Sequence, residues 1–150
     1  MGLVSYTLNG AMDELCALQA GLSIASPRAE IKKVWPLPPS AKMLNDTPCF
    51  INFPRLLPVT FRGNGLLYRD YEVRMQLFCP NLSTEAMAMA YLFEEELIRA
   101  LCVSVSLNGN VTNVATLEGE AGRLEWGGKA YAGIDYRLVF HMAEPQVMGP

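Results

Sequence analysis

Between Leu67 and Cys79 the odd positions read Leu, Arg, Tyr, Val, Met, Leu, Cys, while Tyr68 to Gln76 at the even positions read Tyr, Asp, Glu, Arg, Gln. Successive side chains on a strand point to opposite faces, so this alternation predicts a strand that is apolar on one face from Tyr71 onward and charged on the other. Pro80 and Asn81 end it. Ser83 is placed to cap a following helix, and Glu85 puts a negative charge at the positive end of the helix dipole. Ala86, Met89, Ala90, Phe93, Leu97, Ala100 and Leu101 then recur at helical spacing, with Met87, Tyr91 and Ile98 widening the apolar face. Glu95 and Arg99, four apart, are expected to pair on the wet side. A one-sided strand and a one-sided helix cover each other, and this pair is the expected core.

Elsewhere the pattern is shorter-ranged. Asn9 is expected to cap a helix from Ala11 to about Ala20, with Met12, Leu15, Cys16 and Gln19 on one stripe and Gly21 at its end. A short strand fits Glu30–Trp35. Pro36, Pro38 and Pro39 forbid a central strand beyond it, so residues 36–48 read as a long, partly extended loop. Cys49–Phe53 is a strand that Pro54 terminates or pushes to an edge. Leu57, Val59 and Phe61 alternate in another, which the Asn-Gly turn within Arg62–Gly65 joins to the long strand as a hairpin. Val103–Leu107 and Val111–Leu117 are further strand candidates, Gly119–Gly122 reads as loop, and Arg123–Trp126 leads into a tight turn at Gly127-Gly128. In the last strand, Ala130–Met142, Ile134, Tyr136, Leu138, Phe140 and Met142 share a face opposite Asp135, Arg137 and His141. Asp135 and Arg137 repeat the type and spacing of Glu72 and Arg74, so opposite charges are expected to pair if the strands are neighbours.

This order predicts a single α+β domain over residues 1–150: an antiparallel or mixed β-sheet with two helices packed on one face, and a loose tail from about 143 to 150. The 150 residues suffice for one continuous core, and half of them are apolar. A net charge of −3 argues against a sequence-specific nucleic-acid partner. The longest apolar run, Ala86–Phe93, is too short to span a bilayer, and the start lacks a basic and apolar leader, so a cytosolic fold is expected with Cys16, Cys49, Cys79 and Cys102 as buried thiols.

Catalytic chemistry finds little support. The single histidine, His141, has no Ser or Cys placed beside it by a recognisable motif. Glu94, Glu95 and Glu96 point about 100° apart on a helix and do not converge on one ion. Gly127-Gly128-Lys129 lacks the surroundings of a phosphate loop, and the three Asn-x-Ser/Thr strings have no secretory context. The reading is therefore of a protein that is not an enzyme, with no catalytic residue, cofactor or metal. Surface chemistry suited to binding remains. Trp35 opens the proline loop and Trp126 stands beside the hairpin glycines; each serves as a core side chain or as an interface anchor. Arg69, Asp70, Glu72 and Arg74 form a mixed-sign strand face that suits register between subunits.

The short N-terminal helix, the crossover WPLPPSAKMLNDTPCFINFP, a hairpin with a long strand, a helix, and the terminal LEWGGKAYAGIDYRLVF resemble small proteins of long-tailed bacteriophages encoded among the head–tail joining genes, the tail terminator family and related neck proteins. The resemblance covers most of residues 10–142. It implies a virion structural protein of the tail and neck, assembled in the host cytoplasm as a ring commonly of about six copies. Such a ring caps the tail tube and joins it to the head. Its partners would be further copies of itself, the tail-tube protein and a head–tail connector or stopper protein. On this reading the loop 36–48, the hairpin tip 62–66 and the region 118–129 make the contacts, and the candidate interface residues are Trp35, Lys42, Arg62, Asn64, Arg69, Asp70, Glu72, Arg74, Glu125, Trp126 and Lys129. Deleting residues 38–46 is expected to spare the fold and abolish joining. A head-completion or stopper protein and a tail-tube subunit are the nearest alternatives; a cytosolic ligand-binding or enzymatic domain with a pocket beneath the sheet is the more remote one.

Overall fold

A computed structural model describes residues 8–40, 43–61, 66–104, 106–107 and 113–145, with only the backbone described at 59–61, 66–68, 113 and 142–145. Its elements are α1 (Leu8–Ala20), β1 (Ser23–Ala25), β2 (Arg28–Glu30), β3 (Lys33–Trp35), β4 (Cys49–Phe61), β5 (Leu66–Phe78), α2 (Thr84–Val103), β6 (Asn113–Trp126) and β7 (Lys129–Pro145). β1 and β2 form a small hairpin. The other strands make one mixed sheet in the order β3-β4-β5-β7-β6, parallel between β3 and β4 and antiparallel elsewhere. The fold is the expected α+β arrangement.

The apolar faces read from the sequence meet as expected. Tyr71, Val73, Met75 and Leu77 of β5 and Ile134, Tyr136, Leu138 and Phe140 of β7 pack against Ala86, Ala90, Phe93, Leu97 and Leu101 of α2 and Ala11, Met12 and Leu15 of α1. Ser83 caps α2, its hydroxyl accepting from the Ala86 amide at 3.1 Å, and Gly21 closes α1 by donating to the Ala17 carbonyl at 3.1 Å. Within this core lies a buried amide pair. Gln19 Nε2 donates to Asn52 Oδ1 and Asn52 Nδ2 donates to Gln19 Oε1, both at 2.8 Å, and Asn52 also donates to the Trp35 carbonyl at 3.0 Å. The pair pins α1 to β4 and β3 at one angle, since sliding the helix would bury amides without partners.

Several local expectations need correction. α1 already includes Leu8, so Asn9 lies inside it rather than capping it. The segments on either side of Pro54 are one strand, β4, which passes through Pro54 and Pro58 with a register shift between Leu56 and Val59. Beyond Ile51, β4 has a sheet neighbour on one side only among the described residues, and on the other side a residue without an N–H costs no ladder bond. α2 runs to Val103 and is capped at Ser104, and the Leu107 amide donates to the Ser104 carbonyl, so the described residues of the strand expected over Val103–Leu107 are a helix end and a turn with Leu107 buried. Arg99 pairs with Glu96 at 2.5 Å, three residues away, instead of Glu95. Gly119–Gly122 is not a loop: β6 runs straight through it. At Gly119 a Cβ would lie 2.9 Å from the Tyr136 ring, so the glycine makes room for that ring to lie against the edge strand. Gly127 and Gly128 do form the expected tight turn, with φ of 58° and 82°. The last strand continues to Pro145, three residues into the expected tail.

A candidate interaction surface on the open sheet face

The helices cover one sheet face. The register sends Cys49, Ile51, Phe53 and Arg55 of β4, Asp70, Glu72, Arg74 and Phe78 of β5, Tyr131, Asp135, Arg137 and His141 of β7, and Glu118, Glu120, Leu124 and Trp126 of β6 to the other face. This face has two halves of different chemistry.

At one end Cys49, Ile51, Phe78 and Tyr131 make a second buried cluster with Leu44, flanked by Trp35, Phe53, Leu124 and Trp126. Parallel strands need a crossover of about a dozen residues or more. Here that connection between β3 and β4 is the proline-rich loop 36–48. It places Leu44 over the sheet, and the Leu44 amide donates to the Tyr131 hydroxyl at 3.4 Å. Phe78 meets Trp126 and Tyr131 edge-on, with centroids 6.1 and 5.6 Å apart. Both tryptophans are thus half-buried flanks of a satellite core. Burial pushes the Cys49 and Cys79 thiols up to about 12; Cys79 and Asp46 add to the effect at Cys49. Cys16 is half-buried and Cys102 is exposed on α2, against the expectation of burial for all four; all are free thiols.

The other half is a lattice of charges. Glu72, only 9% exposed, accepts from Arg137 of β7 and lies 3.5 Å from Arg55 of β4. Arg137 in turn reaches Glu118 of β6 at 3.9 Å, so the row Arg55–Glu72–Arg137–Glu118 alternates in sign across four strands. Arg74 binds Asp135 through both carboxylate oxygens, and Asp70 contacts His141. Glu72, Arg74, Glu118, Glu120, Asp135 and Arg137 line a shallow depression of about 380 Å³. Four acids and two bases around it leave an acidic excess. Among the described residues no group of three or more His, Cys, Asp or Glu side chains is disposed to hold a metal ion. The arrangement can fix partner orientation by charge; a nucleophile activated by a base is not among its pairs.

Of the interface residues expected from the sequence, Asp70, Glu72 and Arg74 come together on this face. Arg69 lies on the opposite, helix-covered face, its guanidinium 4.9 Å from the Tyr71 ring centre, because it is one residue out of phase with the other three. Trp35 and Trp126 flank the satellite cluster, Lys129 lies 5.1 Å from the Tyr131 ring centre, and Glu125 pairs with Arg123 at 2.9 Å on the other face. Lys42, Arg62 and Asn64, with the hairpin tip, lie outside the described residues. The sequence reading missed Arg55 and Glu118 as lattice members. Arg55 follows a proline that was expected to end its strand or push it to an edge, and Glu118 adjoins glycines that read as loop. No family model matches the chain, and no curated protein matches it.

Proposed function

We propose that the chain is a virion structural protein, a tail terminator that assembles as a ring of about six copies, caps the tail tube at the neck and joins it to the head. The observation that supports this most is the open sheet face. A stiff five-stranded sheet carrying an interlocked lattice of both signs suits a surface that registers against protein neighbours, where charge sets orientation more than affinity. The resemblance of the helix, proline crossover, hairpin, helix and terminal hairpin to head–tail joining proteins of long-tailed phages points the same way. On this reading the partners are further copies, the tail-tube protein and a connector or stopper, and the chain assembles in the host cytoplasm without catalysing a reaction.

The loop 36–48 has two jobs here. Leu44 seals the satellite core, whereas Leu37 and Met43 stand 62% and 55% exposed and remain available for contacts. Deleting residues 38–46 would therefore uncover the core as well as remove contacts, and point changes at Leu37 and Met43 are the cleaner probe. The test of the function is the native mass by light scattering, with negative-stain imaging and then addition of isolated tail tubes. Discrete rings, or capping of tubes by the added protein, are expected. Long tubes from the pure protein would reassign it as a tube subunit, and a monomer that leaves tubes uncapped would overturn the proposal.

A further inference from the structure

The two lateral edges of the sheet carry opposite charge. β6 forms one edge with Glu118, Glu120 and Glu125 against Arg123, and β3 forms the other, in a segment where Arg28, Lys32 and Lys33 stand against Glu30. Lys33, Glu118 and Glu120 are all exposed. Beyond β3, the flank of β4 is closed to strand pairing by Pro54, Pro58 and the bulge between Leu56 and Val59. The basic edge is thus confined to the short β3 end.

Resting on the ring reading above, we propose that neighbouring copies meet head to tail, the acidic β6 edge of one against the basic β3 edge of the next. The sheet's own register supports the match. Lys33 pairs with Cys49, Cys49 with Phe78, Phe78 with Gly133 and Gly133 with Gly122, so Lys33 and Gly122 occupy one row on the open face. Carrying that row sideways into a second copy sets its Lys33 opposite Gly122, with the strands antiparallel, and makes Glu120 its diagonal neighbour. This is the diagonal the sheet uses inside the molecule. Arg74 faces Arg137 but binds Asp135, two residues before it, and Arg137 binds Glu72, two before Arg74. Glu120 has no ion-pair partner among the described residues that such a contact would displace. Two different edges meeting make a heterologous contact, which closes into a ring or continues as a filament and does not stop at a pair.

Charge exchange tests this. Glu120→Lys sets positive against positive at this diagonal and Lys33→Glu sets negative against negative; each is expected to sediment as a monomer at low salt with an unchanged thermal midpoint. Mixing the two variants one to one is expected to restore assemblies with alternating copies, because each junction then joins opposite signs. Wild-type assemblies that form equally well with either single variant would overturn the edge contact and leave the ring reading standing. Monomeric single variants that stay monomeric on mixing would overturn it as well. Wild-type protein that stays monomeric and leaves added tail tubes uncapped would overturn both.

Discussion

Arg74 and Arg137 stand directly opposite each other in the β5–β7 ladder, and each turns aside to the carboxylate two positions along the facing strand, Asp135 and Glu72. Like charges in direct opposition destabilise a strand pair. Here the diagonal bonds make the opposition tolerable, and each arginine depends on its own acid. Asp135→Asn is therefore expected to lower the thermal midpoint by about 2–4 °C, as suits a loss near 1 kcal/mol in a chain of this size. The loss should shrink in high salt, since the pair is partly exposed. A midpoint unmoved at low salt would show the pair to be energetically silent.

The Gln19–Asn52 pair makes the opposite kind of prediction, because both side chains are wholly buried. Asn52→Leu leaves the Gln19 amide without its partner and is expected to cost about 2–3 kcal/mol. Adding Gln19→Leu should recover much of that, since removing both amides leaves only the Trp35 carbonyl without its donor. Denaturant titrations of the two single variants and the double variant give the coupling directly. Additive losses would refute it.

In the loop 36–48, neighbours should differ sharply. Leu44→Ala removes a buried side chain from the satellite core and is expected to cost about 2–3 kcal/mol. Met43→Ala, on an exposed side chain, should stay within about 0.5 kcal/mol. Equal losses would contradict the seating of the loop.

Thiol chemistry and pH follow from burial. In the folded protein Cys102 is expected to react with a thiol reagent at once, and Cys49 and Cys79 only after unfolding. Burial raises both inner thiols from about 9 to about 12. Between those values the unfolded chain has released protons that the folded chain keeps, so fewer are bound on unfolding and stability falls as pH rises. Below about pH 9 both states hold the protons and the thiols contribute no slope. Replacing Cys49 and Cys79 by Ala should flatten the alkaline limb of a stability–pH curve; an unchanged limb would assign the loss to other groups.

Much of the fold was legible because long periodic segments announce themselves. The alternation through Tyr71–Leu77 and the helical spacing through Ala86–Leu101 describe surfaces tens of ångströms long, and the core they imply is the one observed. The errors cluster where local chemistry gives way to tertiary position. Of the two readings of Pro54, an end or an edge, the strand's flank position selects the second; Gly119 reads as loop, yet clears space for Tyr136. The charge lattice was half legible. Matching Glu72 and Arg74 to Asp135 and Arg137 anticipated the pairing, but which arginine takes which acid depends on register, and register is a property of two strands together.

Leu44 rests on a seat that includes Tyr131, 87 residues further along. A ribosome that has delivered the crossover loop has not yet delivered the surface on which it will lie. Until β7 joins the sheet, the apolar side of that loop has nothing native to cover, so its closure belongs among the last events of folding. A chain cut short before Tyr131 would carry an open loop, and the seated loop would mark a body whose terminal hairpin is in place.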